Sequence, residues 1–145
     1  MNVDFIDSNV IVYLLDQTSP AKRSTAERLV YSALDTGGAR ISFQVVQETI
    51  NVITRRLQPP VTPEHARRFL NDVLVPLWHV MPSQGLYERA IGLAARYGFS
   101  FYDALIVAAA LAAGCTRLYS EDLQHGQRIE GLIVENPFRA GIGST

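Results

Sequence analysis

Cysteine and histidine are scarce in this sequence, which excludes two common kinds of site. The single cysteine, Cys115, rules out an internal disulfide framework. Because Cys115 follows a long apolar segment, we expect a packed thiol rather than a nucleophile. The histidines His65, His79 and His125 lie far apart and offer no zinc-ligand spacing, so we expect them to be structural or on the surface.

Lysine is nearly absent as well. Lys22 is the only lysine among 13 basic residues, and the others are arginines. A phosphorelay receiver domain requires a lysine after a late strand, which Lys22 does not provide. The chain also lacks the glycine-rich loop of P-loop nucleotide enzymes. The net charge of −1 neither favours nor excludes a nucleic-acid partner, although arginine is well suited to bidentate contacts with phosphate.

Apolar runs long enough to cross a membrane are also missing. No apolar run reaches the ~20 residues of a membrane-spanning helix, and residues 1–4 contain no basic segment ahead of an apolar one, so we expect no signal peptide. These two absences lead us to expect a cytoplasmic protein without a membrane segment. With 145 residues, of which 48% are hydrophobic and 19% charged, the chain suffices for one globular domain with its own core.

Short strands alternate with helices along the chain. Apolar segments predict strands at residues 3–6, 40–43, 78–81, 117–120 and 132–135. Helical patterns predict helices at residues 8–15, 20–36, 44–57, 63–75, 83–97 and 101–113, the fourth ending before Pro76. This alternation predicts the α/β class: one domain whose five-stranded parallel sheet lies between helices in a three-layer α/β/α sandwich.

The segment after Asp103 is the most apolar in the chain. It contains no charged residue before Arg117, so we expect a helix that is buried on every side. Asp103, in the first turn of that helix, would then be a buried carboxylate, which is costly unless a partner compensates it. Two explanations stay open from this segment alone: a capping box with Ser100 as the N-cap, or a metal ligand or catalytic acid at the edge of a cleft.

Three further acids follow predicted strands. Asp7 directly follows the first strand, Asp122 follows the fourth, and Glu48 lies within two turns after the second. Such positions meet at the carboxyl edge of a parallel sheet, where binding sites form. Each acid also has an ordinary explanation, because Asp7 and Asp122 are able to cap the next helix or turn and Glu48 is able to pair with an arginine. Together with Asp103, however, four carboxylates at one edge repel one another, and raised pKa values or a bound cation would relieve that repulsion.

The chemistry of these ligands indicates a particular metal. Oxygen ligands without clustered histidine or cysteine favour Mg²⁺, with Mn²⁺ as a substitute, over Zn²⁺. A carboxylate-bound Mg²⁺ is typical of phosphate chemistry, in which the metal clamps a phosphodiester oxygen and activates a water. A haloacid-dehalogenase-type phosphatase needs a second aspartate two residues after the first, and this chain has Asn9 there. That alternative is weakened but stays open.

Five segments, in this order, carry a family resemblance: FIDSNV at 5–10, VQE at 46–48, FYDALI at 101–106, YSEDL at 119–123 and ENPF at 135–138. Together they resemble PIN-domain ribonucleases, and among these the VapC-type toxins of bacterial toxin–antitoxin pairs. The resemblance extends from residue 3 to about residue 138. It implies a PIN-like nuclease domain at residues 1–140, and we expect a flexible tail at residues 141–145.

The resemblance also implies a metal site. Four acids match the family's acidic quartet: Asp7, Glu48, Asp103 and Asp122. Asp7 and Asp103 would be the principal Mg²⁺ ligands. Glu48 and Asp122 would complete the metal's shell and orient the attacking water.

The activity implied by the resemblance is Mg²⁺-dependent endoribonuclease cleavage of RNA phosphodiester bonds. Asn9 and Ser120 match positions whose polar side chains support the site and orient the substrate. The implied partners are RNA, a VapB-type antitoxin that silences the enzyme, and a second copy of the chain in a homodimer. Several arginines are candidates for an RNA path around the acidic pocket, namely those at positions 23, 28, 55, 56, 67 and 68.

Two other functions stay open. One is a PIN-like module that binds RNA or an antitoxin without cutting, and the other is a small-molecule phosphomonoesterase on a related α/β scaffold. The complete set of four acids favours the nuclease over the binding module.

Overall fold

The computed structural model describes residues 2–139, and the tail expected at residues 141–145 lies outside them. Within the described residues one sheet has six strands in the order β3-β2-β1-β4-β6-β5. The strands are β1 (Asp4–Ile6), β2 (Ala39–Ser42), β3 (Trp78–Val80), β4 (Arg117–Tyr119), β5 (Arg128–Ile129) and β6 (Leu132–Glu135). β1 pairs in parallel with both β2 and β4, which places it inside the sheet. The α/β class and all five predicted strands are confirmed.

The sixth strand departs from the expected five. β5 spans only two residues and pairs antiparallel with β6, so the sheet is mostly rather than wholly parallel. A tight turn at Glu130 and Gly131 joins the two strands, and Glu130 adopts a φ of 56° there. Two residues are too few for an alternating pattern to be visible in the sequence, which explains the missed strand.

Seven helices flank the sheet in the described residues, and most of them begin at a residue whose side chain accepts a backbone N–H. They are α1 (Ser8–Ile11), α2 (Pro20–Thr36), α3 (Phe43–Arg55), α4 (Pro63–Phe69), α5 (Val75–Leu77), α6 (Gln84–Tyr97) and α7 (Phe101–Ala112), and a 3₁₀ turn (Val12–Leu14) follows α1. Ser42 caps α3 and Ser100 caps α7, each through a side-chain oxygen that accepts a backbone N–H. These two caps fix the points at which the acid-bearing helices begin.

The helix end predicted before Pro76 is wrong. α4 continues through a π-helical turn (Leu70–Leu74) into α5, which extends to Leu77. In that turn the Val75 N–H donates to the carbonyl of Leu70, five residues back. Pro76 lacks the N–H that would continue the helical bonding, and the wider π-helical turn just before it is where the helix accommodates that missing bond.

α7 lies in the centre of the core over most of its length. Residues 104–110 are buried, and Cys115 just beyond the helix is buried too. Burial raises the pKa of the Cys115 thiol to about 12, as expected for a packed thiol. Asp103 at the start of α7 is exposed, so the prediction of a buried carboxylate there is wrong: the first turn projects beyond the core. Across residues 2–139 no helix is long and apolar enough to cross a membrane.

Candidate active site

The carboxyl ends of β1, β2 and β4 open into one cleft of about 470 Å³. The cleft is lined by residues of α1, α3 and α7 and of the segments that follow α1 and β4: Asp7, Ser8, Asn9, Val12, Tyr13, Gln44, Glu48, Asn51, Val52, Arg56, Asp103, Ile106, Glu121 and Asp122. All four predicted acids are in this lining, together with Asn9. Ser120 is fully buried and contacts Asp7. The fold thus brings every predicted site residue to one edge of the sheet.

The Asp7 carboxylate is buried, with 7% of the residue exposed. Its Oδ1 accepts the backbone N–H of Ser8 at 2.8 Å, the contact that caps α1. Its Oδ2 accepts the hydroxyl of Ser120 at 2.9 Å and the amide of Asn9 at 3.4 Å. None of these donors is cationic, so within residues 2–139 only neutral groups bond to the Asp7 carboxylate.

The environment of Asp7 shifts its protonation towards neutral pH. Burial raises the pKa of Asp7 from 3.8 to about 7, against the smaller lowering effect of the hydrogen bonds from Ser120 and the Ser8 N–H. The negative charges of Glu48 and Asp122 raise the pKa of Asp7 further. A carboxyl group with so perturbed a pKa in a cleft is typical of functional sites. A cation in the cleft would reverse the shift, because it favours the ionised form.

The hydroxyl of Ser120 links the end of β4 to Asp7. Besides donating to Asp7, its oxygen accepts the Asn9 amide at 3.3 Å and the backbone N–H groups of Asp122 at 3.3 Å and Leu123 at 3.4 Å. The carbonyl oxygen of the Asn9 side chain accepts the backbone N–H of Glu121 at 3.0 Å. These bonds hold the turn that carries Asp122 against the start of α1.

Neutral donors, rather than an arginine, hold both oxygens of Glu48. Oε1 accepts the hydroxyl of Ser8 at 3.1 Å, and Oε2 accepts the amide of Gln44 at 3.2 Å. The same Gln44 nitrogen donates to the backbone carbonyl of Tyr102 at 3.1 Å, which ties α3 to the first turn of α7. Because both partners of this nitrogen are acceptors, they fix which way the Gln44 amide points.

Asp103 and Asp122 line the cleft as exposed side chains. The backbone N–H of Asp103 donates to the Ser100 hydroxyl at 3.2 Å, so the N-cap that the sequence predicts is present. The Asp103 carboxylate lines the cleft at the same time. Of the predicted capping box, only the N-cap bond is among the hydrogen bonds of residues 2–139, which leaves the Asp103 carboxylate directed to the cleft. Ser100 thus starts the helix, and the helix start carries the acid to the edge of the cleft.

A fifth acid, Glu121, lines the cleft but is paired. It forms an ion pair with Lys22 and accepts the hydroxyl of Tyr13 at 2.7 Å. The Lys22 ammonium lies over the rings of Tyr13, at 5.0 Å, and Phe138, at 5.4 Å. The Lys22 charge offsets that of Glu121. Asp122, its neighbour, forms no such ion pair within residues 2–139.

Sequence reasoning missed Ser8, Gln44 and Lys22. Gln44 precedes Glu48 by four residues on α3, the spacing at which helical side chains meet, so the pair was detectable. Ser8 directly follows Asp7, but its hydroxyl bonds across the cleft to Glu48, 40 residues away. Lys22 gave no local signal, because its partner Glu121 lies 99 residues away in the chain. The three histidines are absent from the cleft lining, as expected.

The donor set of the cleft fits a hydrated Mg²⁺ or Mn²⁺ ion. Within residues 2–139, no three acidic, histidine or cysteine side chains lie close enough to hold a metal ion among themselves. Mg²⁺ usually keeps several waters and binds through one or two carboxylates, which the acids of the cleft are able to supply. Asp7, buried and bonded to neutral groups, is the acid whose charge a cation would best compensate.

Three solved structures share this fold. A toxin–antitoxin complex from Klebsiella pneumoniae aligns with a TM-score of 0.65 at 19% identity, over 93% of this chain and 98% of that one. VapC20 of Mycobacterium tuberculosis, described as a toxin that cleaves the sarcin–ricin loop, aligns with a TM-score of 0.61 at 23% identity, over 82% and 89%. VapBC2 of Rickettsia felis, bound to a promoter DNA fragment, aligns with a TM-score of 0.63 at 16% identity, over 92% and 98%.

Sequence comparison identifies the family directly. No curated protein is a sequence match, but the model of the PIN domain family matches residues 5–128. That match contains all five acids that line the cleft, the four predicted ones among them. Four of the five short segments that carry the resemblance lie within the matched residues. The resemblance to the PIN family is confirmed, and the chain belongs to the PIN domain family.

Proposed function

We propose that this PIN-domain protein is a Mg²⁺-dependent endoribonuclease and the toxin of a VapC-type toxin–antitoxin pair. One observation carries the proposal: four carboxylates from separate parts of a PIN domain line one cleft, and the buried one has a pKa raised to about 7. Supporting it, the fold is shared with toxin–antitoxin complexes and with VapC20, a toxin described as cleaving the sarcin–ricin loop.

In the proposed mechanism each acid has a role set by its surroundings. A bound Mg²⁺, for which Mn²⁺ would substitute, supplies charge to a phosphodiester oxygen and lowers the pKa of a water. Asp7, on the buried side of the cleft, and Asp103, at its exposed edge, would be the principal ligands. Glu48 and Asp122 would complete the shell of the metal and orient the attacking water. Glu48, held at both oxygens by Ser8 and Gln44, is pre-oriented for that role.

Asn9 and Ser120 complete the proposed site as positioning residues for the substrate and for Asp7. Ser120 donates to Asp7 and holds the Asp122 backbone, whereas Asn9 lines the cleft where a substrate would lie. The partners proposed with this activity are RNA, a VapB-type antitoxin that blocks the cleft and a second copy of the chain. Cleavage of cellular RNA would require the protein to act in the cytoplasm.

A non-cleaving module that binds RNA or an antitoxin is the second candidate. It is favoured by the spacing of the acids, because within residues 2–139 no three acidic, histidine or cysteine side chains lie close enough to bind a metal ion without water ligands. On this alternative the acids would serve as a binding surface for a basic antitoxin segment. The two candidates differ in whether bound RNA is cut.

Asp103→Asn separates the two candidates. Partner-free protein would be incubated with structured and unstructured RNA in Mg²⁺, Mn²⁺ or EDTA, with Asp35→Asn as the control, because Asp35 is an exposed acid of α2 outside the cleft. We expect metal-dependent cleavage that Asp103→Asn lowers by ~100-fold or more, since even loss of a group that supports a metal ligand costs about 10–100-fold. Undiminished cleavage by Asp103→Asn would refute the assignment of this acid.

Further controls cover the alternatives. RNA that is bound but uncut in every metal would favour the binding module. Turnover of a generic phosphomonoester without RNA cleavage would favour the phosphomonoesterase. Asp35→Asn should match the unmodified protein in each assay.

A further inference from the structure

The cleft has a side wall that the proposed metal chemistry does not use. Beyond Glu48, α3 contributes Asn51, Val52 and Arg56 to the lining, and we call these three residues the α3 wall. The wall carries no carboxylate. Arg56 is the single basic residue in the lining, among the residues that the structure describes.

Arg56 stands out among the arginines that the sequence offered as RNA contacts. Arg23 pairs with Glu27 on α2. Arg28 lines a separate depression with Asp4 and Arg117, residues at the start of β1 and β4 and therefore at the opposite edge of the sheet. The expectation that Arg28 contributes to an RNA path around the acidic pocket is therefore wrong. Arg56 forms no ion pair within residues 2–139 and is exposed.

The negative charge of the cleft lining explains how Arg56 would favour the binding of RNA. Five acids line the cleft, and only Glu121 among them is paired with a basic residue in the described part of the chain. A polyanion such as RNA would be repelled by this lining unless a cation meets it at the entrance. The guanidinium group donates two parallel hydrogen bonds to a phosphate. The Asn51 amide, in the same lining, adds polar donors and acceptors, and Val52, one turn before Arg56, adds an apolar surface for a ribose or base.

The position of Arg56 along α3 defines which phosphate it meets. Eight residues separate it from Glu48, and Arg56 keeps a helical backbone as the C-cap residue, so the two residues lie ~12 Å apart along the helix axis. A phosphate held at the acids is therefore not the phosphate held at Arg56. We infer that Arg56 anchors a phosphate that flanks the scissile bond in the RNA strand, with Asn51 and Val52 as the floor of that subsite.

This inference rests on the proposed function and predicts a division between binding and chemistry. Loss of an anchor that is remote from the reacting phosphate weakens binding of substrate and transition state alike, so KM rises while kcat is kept. Arg56→Ala should raise KM, and the Kd for a fluorescein-labelled single-stranded RNA in EDTA, by roughly 5–10-fold, with kcat within about twofold. The slope of log Kd against log salt should fall in magnitude by about 0.7–1, the share of one phosphate contact.

Two variants serve as controls. Arg56→Lys keeps the charge but not the planar fork, so it should keep the salt slope and bind with intermediate affinity. Arg28→Ala removes an equal charge from the opposite edge of the sheet and should leave Kd, KM and the salt slope unchanged. Circular dichroism of each variant checks that the fold is retained.

The outcomes separate this inference from the proposed function. If the unmodified protein cleaves RNA and Arg56→Ala binds and cleaves it equally well, the subsite is refuted while the nuclease stands. If RNA is bound but uncut and Arg56→Ala is the only variant that weakens binding, the subsite is supported and the protein is a binding module rather than a nuclease. An equal loss in Arg28→Ala, a loss confined to kcat, or no RNA binding by the unmodified protein would each overturn the subsite.

Discussion

Asp7 is a buried carboxylate near the negative charges of Glu48 and Asp122, so its ionised form is unfavourable. Its pKa of about 7 in the folded chain lies above its ordinary value of 3.8, chiefly because the group is buried. The folded state therefore binds this proton more tightly than the unfolded state does. The resulting stabilisation is fully present below pH ~4 and is lost as the pH rises through ~7. At alkaline pH, an ionised Asp7 without a cation destabilises the fold.

Asp7→Asn should remove the cost of an ionised carboxylate at this buried position. In EDTA, the free energy of unfolding of the variant should match that of the unmodified protein at about pH 4, and the variant should become the more stable of the two as the pH rises. At pH 8 the variant should be more stable by about 1–4 kcal/mol, because each unit of raised pKa corresponds to ~1.4 kcal/mol. Urea unfolding followed by circular dichroism between about pH 4 and 8.5 measures the difference, with Asp35→Asn as the control. A difference that does not change with pH would contradict the proposed cost of ionised Asp7.

At the scale of elements, three acids of the site lie at or shortly after the start of a helix. Asp7 caps α1, Ser42 caps α3 just ahead of Glu48, and Ser100 caps α7 just ahead of Asp103. Each helix starts close to the carboxyl edge of the sheet, so the positions of these capped helix starts bring three acids to one place. Gln44 then joins two of these helices through its bonds to Glu48 and to the Tyr102 carbonyl.

Gln44→Leu should separate the Glu48 carboxylate from α7. Gln44 is 4% exposed, and its nitrogen makes both bonds of this junction. We expect a loss of about 1–2 kcal/mol in the free energy of unfolding, as for buried hydrogen bonds to a charged group. If the proposed nuclease activity holds, kcat should fall by ~10-fold or more, as for other supports of metal sites, with a smaller change in KM.

The matched control for Gln44→Leu is Gln47→Leu. Gln47 lies on the same helix but is exposed and outside the cleft lining. Urea unfolding and steady-state kinetics on both variants make the comparison. Equal effects in the two variants would mean that the loss reflects α3 in general rather than the bond between Gln44 and Glu48.

At the scale of the whole molecule, the sequence predicted what repeats locally and missed what depends on distant partners. The five strands, the α/β class and the placement of Asp7, Glu48 and Asp122 at one edge follow from apolar patterns and the geometry of parallel sheets. The pairing of Lys22 with Glu121 did not, because no periodic pattern connects the two segments. The exposure of Asp103 was missed because an apolar run does not tell where the core ends.

The described surface has one region rich in large apolar side chains. Tyr87, Phe101 and Tyr102 are exposed in the first turns of α6 and α7, Ile91 is exposed one turn after Tyr87 on α6, and we call these four residues the apolar patch. The rings of Tyr87 and Phe101 lie 6.3 Å apart, and those of Phe101 and Tyr102 lie 5.6 Å apart. Patches of this kind mark protein interfaces. A two-fold contact pairs a surface with itself, which uncharged side chains permit and the acidic cleft opposes.

Ile91→Glu should therefore weaken the proposed homodimer. A glutamate at the patch would face its own copy or an apolar surface across the two-fold axis, and burying it there is costly. Light scattering after size exclusion should give a mass near twice 16.0 kDa for the unmodified protein and near 16.0 kDa for the variant at micromolar concentration. Tyr31→Glu is the control, because Tyr31 is 51% exposed on α2, outside the patch, and should leave the dimer intact.

A monomeric unmodified protein would remove the homodimer from the proposal, and a dimer that survives Ile91→Glu would move the interface to another face.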